Sequence, residues 1–243
     1  MRGLPWLFLL GACASGPRWE SGAVAGGNTA KTYAYRDVGG EFEYHREVRM
    51  EKLRLATRIR LNAPGDSGKL LEKTFALSHA GSVKAKGGRR LVIRPELAQH
   101  TVWLEGKQYF SQLKLLTREK KLEVVMRSPE AKWNGRKLVS VPRGRVFCFY
   151  SQLPECLQVS GLLAEVAEGR LPRAPFHIVW DSYPYHQEHF SGLGAGAFAP
   201  ARLSLEKVVQ GRHHFTVEVA EQIIGLHFSK SGEFARMFWM AQG

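Results

Sequence analysis

Several common signatures are missing from this chain of 243 residues. A membrane-spanning helix needs about 20 consecutive apolar residues, and the apolar stretch at residues 4–10 is far shorter. The sequence has no G-x-S-x-G, no G-K-S/T phosphate loop and no C-x-x-C pair, so the usual local signals of serine hydrolases, P-loop enzymes and zinc ribbons are lacking. No fixed-period repeat is present, which argues against solenoids and propellers.

Acidic residues are also scarce, because 22 Asp and Glu stand against 35 Lys and Arg, for a formal net charge of +13. A basic surface attracts nucleic acid, anionic lipid or acidic polymers. Four cations recur at even spacing in one segment: Lys52, Arg54, Arg58 and Arg60. They predict one basic strand face. The alternative is an ordinary solvated face whose charge is offset by acidic neighbours such as Glu47.

The N-terminus indicates export. A charged start at Arg2 and the apolar stretch 4–10 fit a short secretory signal. Residues 10–13, LGAC, resemble the bacterial lipobox, in which a leucine and two small residues precede a cysteine that is acylated, with palmitate for example, and becomes the mature N-terminus. The resemblance implies a lipoprotein signal peptide at 1–12 and a lipid on Cys13. The alternative is a buried N-terminal helix with a chance cysteine.

The residues after Cys13 are rich in Gly, Ala and Ser, a composition typical of flexible linkers. We therefore expect a tether at 13–30 and a single β-rich domain at 31–243. An anchored, exported chain belongs to the cell envelope, and we place it on the outer membrane facing the periplasm. Because nucleic acid is rarely met there, anionic lipid, an acidic envelope polymer or an envelope protein is the better expected partner.

Cys148 and Cys156 are the two cysteines left if Cys13 is acylated. In an oxidising compartment such a pair is a disulfide candidate. The alternative is two buried free thiols.

Strand patterns dominate from residue 31 onward. Alternating apolar and polar segments are separated by turn signals, including Gly39-Gly40 and Asn134-Gly135, at a spacing that favours an all-β sandwich or barrel. The alternation changes phase between residues 42–50 and 52–61 without Gly, Pro or Asn between them, which predicts a bulge in one long bent strand. Residues 153–168 predict a helix, since leucines recur at helical spacing, Pro154 fits the first turn and Gly169 fits the stop.

Four stretches carry a family resemblance: residues 32–50, residues 153–169, residues 176–185 and residues 228–239. They resemble the bacterial half-barrel superfamily of lipoprotein carriers and related envelope lipoproteins. The resemblance implies a mainly β fold in which a strongly curved antiparallel sheet, a half-barrel or open barrel, packs one helix on its concave side. No catalytic residues can be carried over from this resemblance, and no cofactor is expected.

The alternation gives each strand one apolar face to bury. The large apolar residues that we predict to line a groove between sheet and helix are Phe42, Tyr44, Leu55, Ile59, Phe75, Trp103, Phe147, Trp180 and Phe238. Such a groove would accept an acyl chain or a partner segment.

Residues 177–189 are the one segment with clustered polar chemistry. Its weak catalytic or metal-binding candidates are Asp181, His186, Glu188 and His189. His186, Glu188 and His189 would ligate a metal if the segment were helical, but Pro184 favours a loop, so no metal is expected.

The sequence thus predicts a non-enzymatic, lipid-anchored envelope protein that binds an amphiphilic ligand, a lipid or lipoprotein, or a partner protein. Two alternatives stay open: an envelope hydrolase that uses residues 177–189, and a structural assembly factor of an envelope complex.

Overall fold

The computed structural model describes residues 29–36, 42–63, 69–85, 88–142, 146–189, 193–194 and 196–240. The predicted signal peptide, Cys13 and all but the last two residues of the predicted tether lie outside this part of the chain. In the ranges that are described, no helix combines the length and the apolar character needed to cross a membrane. The first strand begins at Thr29, slightly before the predicted domain boundary.

Eight strands form the first sheet in sequence order, each antiparallel to the next. They are β1 Thr29–Arg36, β2 Glu43–Glu51, β3 Arg54–Ala63, β4 Lys69–Ala85, β5 Gly88–Leu104, β6 Lys107–Leu116, β7 Lys121–Arg127 and β8 Gly135–Ser140. A meander of this kind needs only hairpin connections, which fits the many turn signals in the sequence.

Six strands form the second sheet, a curled half-barrel. They are β9 Phe147–Phe149, β10 Ala174–Val179, β11 Phe198–Val209, β12 Arg212–Val219, β13 Gln222–Phe228 and β14 Phe234–Met240. All neighbours are antiparallel except β9 and β10, which run parallel because the helical segment connects them. The predicted mainly β class with curved antiparallel sheets and few helices is confirmed.

The predicted bulge between residues 50 and 54 is wrong. β2 and β3 are two strands of a tight hairpin whose turn contains Lys52 and Leu53. Lys52 adopts a positive φ of 52°, a conformation in which lysine is rare, so the sequence carries no turn signal here. The phase shift in the alternation is the turn itself.

The predicted helix is two short helices, α1 Leu153–Val159 and α2 Leu162–Ala167. Gly161 separates them with a φ of 71°, which glycine adopts without strain. Pro154 lies in the first turn of α1, as predicted. Both helices bury their apolar faces in a core cluster that also contains residues of both sheets.

A polar bridge joins the two sheets inside this core, centred on the 3₁₀ turn Tyr150–Gln152 before α1. The Gln152 side chain is fully buried and donates to the carbonyls of Leu55 and Ala76 at 2.9 and 3.1 Å. Its carbonyl oxygen accepts a hydrogen bond from Ser78. Buried amides are costly unless they are satisfied, so these bonds fix the position of the turn against β3 and β4.

Candidate functional site

Three side chains with metal-binding or acid–base chemistry meet on the inner face of the first sheet: Glu72, His100 and His186. We call them the Glu–His cluster. Successive odd or even positions share a strand face, so Glu72 and Thr74 lie on the same face of β4. Thr74 is the register partner of His100 on β5, which makes Glu72 and His100 diagonal neighbours. His186 reaches the pair from a third helix, α3 Tyr185–His189.

The cluster is close-knit. Glu72 Oε1 lies 3.6 Å from His100 Nδ1, and Glu72 Oε2 lies 3.4 Å from His186 Nε2. The two imidazole rings are 4.8 Å apart in an edge-to-face arrangement. Thr74 Oγ1 lies 3.0 Å from His100 Nδ1 and 3.4 Å from Glu72 Oε1, so the hydroxyl joins both partners.

Burial sets the charge states of this cluster. His100 is completely buried, and burial lowers the pKa of its imidazole to about 4. Burial by itself raises the pKa of Glu72, but the hydrogen bond from His186 and the charges of the two histidines hold it below its ordinary value. The cluster therefore contains a carboxylate and a neutral imidazole with a lone pair.

The second ring nitrogen of His100 is also buried. Within the described residues, His100 Nε2 has no hydrogen-bond partner. An unsatisfied buried polar atom costs about 1–3 kcal/mol, and such atoms are rare in folded proteins. Chemically, the cluster offers two imidazole nitrogens and one carboxylate oxygen to a shared ligand, or a place for proton exchange between Glu72 and His186.

The predicted site at residues 177–189 is only partly assembled. His186 joins Glu72 and His100. The side chains of Glu188 and His189 lie outside the described residues, so their part in a site stays a prediction. Pro184 follows a cis peptide bond and α3 begins directly after it. The sequence left a loop and a helix open as alternatives for this segment. The structure contains both, a turn followed by a short helix.

Asp181 occupies a different place. Its Oδ2 accepts a hydrogen bond from the Ser151 backbone N–H at 2.7 Å, so it helps to hold the 3₁₀ turn between the sheets. Burial raises the pKa of the Asp181 carboxyl to about 7, although the hydrogen bonds from Ser151 oppose this. His186 lies against Glu72 instead, with its Nε2 3.4 Å from Glu72 Oε2.

Sequence reasoning missed Glu72 and His100. The alternation of β4 and β5 was visible, but alternation within each strand does not say which residues of the two strands share a sheet face. What the sequence did not reveal is the pairing register that makes them neighbours, nor the approach of α3. The metal-like spacing within residues 177–189 drew attention to His186 but not to Glu72 and His100, which are distant in sequence.

Four of the predicted lining residues point inward: Tyr44, Leu55, Ile59 and Trp180. Leu55 and Trp180 are 0% and 2% exposed and share one core cluster with α1 and α2. Phe147 packs in a second cluster, against Phe198 and His177. The deeply buried members are therefore core residues rather than the walls of an open groove.

The other predicted lining residues are corrected by the structure. Phe75 and Trp103 lie on the outer face of the first sheet, opposite to the buried positions of their strands, and Phe42 is 41% exposed. Phe238 covers Gly225 on the outer face of the second sheet, where a Cβ on residue 225 would come within 2.4 Å of the Phe238 ring. Its neighbour Trp239 faces inward instead and stacks on Trp180. For Phe75, Trp103 and Phe238 the predicted alternation was out of phase by one residue, which moves each side chain to the opposite face of its sheet.

The predicted basic face exists, with one correction. Arg54, Arg58 and Arg60 are exposed on the outer face of β3, whereas Lys52 lies in the β2–β3 turn. Neighbouring strands extend this surface with three more exposed basic residues: Lys73, His79 and Arg94. We call Arg54, Arg58, Arg60, Lys73, His79 and Arg94 the basic face. Acidic residues of β2 border this face, since Glu47 contacts Arg49 and Arg58 and Glu51 is the register partner of Arg54.

Cys148 and Cys156 are joined by a disulfide in the structure, with Cα atoms 5.7 Å apart. The separation suits normal disulfide geometry. The bridge connects β9 to α1 and so fixes the entry to the helix.

Comparisons with protein-family models, with curated proteins and with solved structures returned no match for this chain. The resemblance to half-barrel envelope lipoproteins therefore stays a prediction, and the functional argument depends on the geometry above.

Proposed function

We propose that this chain is an exported, lipid-anchored protein of the cell envelope that binds anionic lipid headgroups through the basic face, without catalysing a reaction. The LGAC sequence at 10–13 supports the anchor. The observation that carries the binding proposal is the register of the first sheet, which gathers basic residues of β3, β4 and β5 on its exposed side.

One cross-strand pair shows this arrangement directly, since Arg60 on β3 is the register partner of Lys73 on β4. Arg54 on β3 and Arg94 on β5 stand on either side of His79 on β4, which is the register partner of both. Like charges directly opposite in a sheet destabilise it by roughly 0.2–1 kcal/mol per pair. A phosphate between Arg60 and Lys73 would turn that repulsion into attraction.

Aromatic rings support the cations of this face. The Arg58 guanidinium lies 5.9 Å from the centre of the Phe75 ring, and the Lys73 ammonium lies 5.6 Å from the Trp103 ring. Cation–π contacts of this kind limit the freedom of long side chains. The rings also suit a lipid interface, where aromatic side chains are favoured.

The segment between the proposed lipid anchor and the first strand is long enough for the basic face to reach the membrane. The segment from Cys13 to Thr29 can extend at most about 55 Å, which leaves the sheet free to lie flat against the membrane that holds the lipid. Each Lys or Arg near an anionic surface contributes about 1 kcal/mol, so several together would orient the domain.

The structure gives less support to the other readings. A ligand carried in the interior is not favoured, because the predicted lining residues Leu55 and Trp180 are packed into the core. A hydrolase built on Asp181 and His186 is not favoured either, since Asp181 is bonded to the Ser151 backbone. An assembly role would need a protein partner, which the experiment below distinguishes from lipid.

The test is sedimentation of the unacylated chain from residue 14 onward with vesicles of neutral phosphatidylcholine, with or without phosphatidylglycerol. The triple variant Arg54→Gln, Arg60→Gln, Lys73→Gln should bind anionic vesicles about 100-fold more weakly, because three contributions of about 1 kcal/mol are lost. Binding should also weaken steeply as salt is raised.

The matched control removes three exposed cations elsewhere: Arg170→Gln, Arg173→Gln and Lys230→Gln. It has the same net charge as the test variant and should keep most of the binding. Equal loss in both variants would mean that net charge alone drives binding, against a specific face. Binding to soluble polyglutamate but not to vesicles would favour an acidic protein or polymer partner.

A further inference from the structure

We propose that the Glu–His cluster of Glu72, His100 and His186 is a binding site for a divalent transition metal ion, and that Zn²⁺ is the ion that fits it best. This inference is independent of the lipid-binding proposal, since the cluster lies on the inner face of the sheet and the basic face lies on the outer one.

The spacing of the donor atoms matches a metal site. The three residues each offer one ligand atom, and these atoms all lie within 4.8 Å of one another. Zinc bonds of about 2.0–2.2 Å in tetrahedral geometry separate two ligand atoms by about 3.3 Å. The observed 3.6 Å from Glu72 to His100 and 3.4 Å from Glu72 to His186 need little movement to reach that value.

The donor set selects the metal. Imidazole nitrogens suit zinc, copper, iron and nickel, while magnesium and calcium prefer shells made of oxygen. Two histidines and one glutamate form a known zinc ligand set that leaves a further position for water. The set contains no thiolate.

Access and support are both present. His100 is fully buried, whereas the side chains of Glu72 and His186 are 18% and 27% exposed, so an ion can enter from their side. The Thr74 hydroxyl, 3.4 Å from Glu72 Oε1, can keep that carboxylate oriented when His100 Nδ1 turns to the metal. Such outer contacts tune affinity in metal sites.

A bound ion would connect two parts of the fold. β4 and β5 supply Glu72 and His100, and α3 supplies His186. Tyr185 already attaches α3 to the sheet, because its ring packs against Tyr109 and its hydroxyl donates to the Phe110 carbonyl at 2.8 Å. Zinc would add a second attachment of α3 to the first sheet, one residue along from Tyr185.

The test is titration of the chelator-treated, full-length protein with ZnCl₂ by calorimetry, with Mg²⁺ as the hard-ion comparison. We expect one Zn²⁺ per chain and little response to Mg²⁺. His186→Asn and Glu72→Gln should each weaken zinc binding by about 100-fold or more, since losing even an outer-shell partner costs 10–100-fold. His186 is partly exposed, so its variant should fold even if changes at His100 disturb the core.

Two controls separate this site from surface histidines. His79→Asn removes an exposed histidine from the outer face of β4 and should leave zinc affinity unchanged. His214 and His227 are stacked 3.8 Å apart on the second sheet and are the main competing pair. If His227→Asn abolishes binding while His186→Asn does not, the proposal is overturned. Replacement of zinc by Co²⁺ should give the visible absorption of a tetrahedral site, and His186→Asn should remove it.

Discussion

The buried ion pair between Arg46 and Glu155 joins β2 of the first sheet to α1, and it should contribute strongly to the stability of the fold. Arg46 on β2 is 3% exposed, and its guanidinium contacts both oxygens of Glu155 on α1, at 3.0 and 2.5 Å. It also donates twice to the Ser151 carbonyl, at 3.1 and 2.8 Å. Burial would lower the pKa of Arg46, but the Glu155 carboxylate raises it above its ordinary value. The cation therefore stays charged inside the protein.

Glu155→Gln should lower the free energy of unfolding by about 3–5 kcal/mol, because it leaves a buried charge without its counterion. The double variant Arg46→Met, Glu155→Leu should be less destabilised, since apolar residues of similar volume often replace buried pairs at little cost. It still leaves the Ser151 carbonyl without its donors, which costs about 1–3 kcal/mol.

Urea unfolding followed by tryptophan fluorescence measures these differences. The matched control is Glu233→Gln, which breaks the exposed pair between Lys31 and Glu233, whose side chains are 48% and 61% exposed. Exposed pairs contribute at most about 1 kcal/mol. If Glu155→Gln were no more damaging than Glu233→Gln, the argument from burial would be refuted.

Three further predictions concern other parts of the chain. Asp181 has a folded pKa of about 7 against an ordinary value of 3.8, so the folded state holds the proton more tightly. The free energy of unfolding should then fall by about 4 kcal/mol as the pH rises from about 4 to about 7, and Asp181→Asn should flatten this profile in pH-dependent urea titrations. Replacing Cys148 and Cys156 by serine should lower stability by roughly 2–3 kcal/mol, because the closed loop is short; an unchanged midpoint under reducing conditions would contradict a structural disulfide. Cys13→Ser should abolish incorporation of radioactive palmitate and release the protein from membranes or leave the signal uncut, whereas equal labelling would exclude the anchor.

The local parts of the fold could be predicted from the sequence. Alternation identified the strands, and Pro154 and Gly169 bounded the helical segment, because these signals depend on residues close together in the chain. Two of the errors in local structure have separate causes. Lys52 turns the chain in a conformation that lysine rarely adopts. Phe238 was assigned to the wrong face because β13 and β14 pair with a register irregularity between His227 and Phe228.

The Glu–His cluster could not be predicted because it depends on pairing across the sheet. β4 and β5 pair with a register shift at Leu77 and Ser78, which decides which residue of one strand faces His100 on the other. A shift of one residue would place Glu72 on the outer face. His186 was found because it lies in a dense segment of polar chemistry, but its partners are distant in sequence.

The most direct test of the central claim is site-specific photo-crosslinking in membranes with the full-length, lipid-anchored protein. A benzophenone side chain at Ala56 would stand on the outer face of β3 among Arg54 and Arg58, and one at Arg202 would stand on an exposed position of the second sheet. If the basic face lies against anionic headgroups, the probe at Ala56 should crosslink to phospholipid and the probe at Arg202 should not. Lipid crosslinks of equal yield at both positions, or a protein adduct at Ala56 in place of lipid, would contradict the proposed orientation.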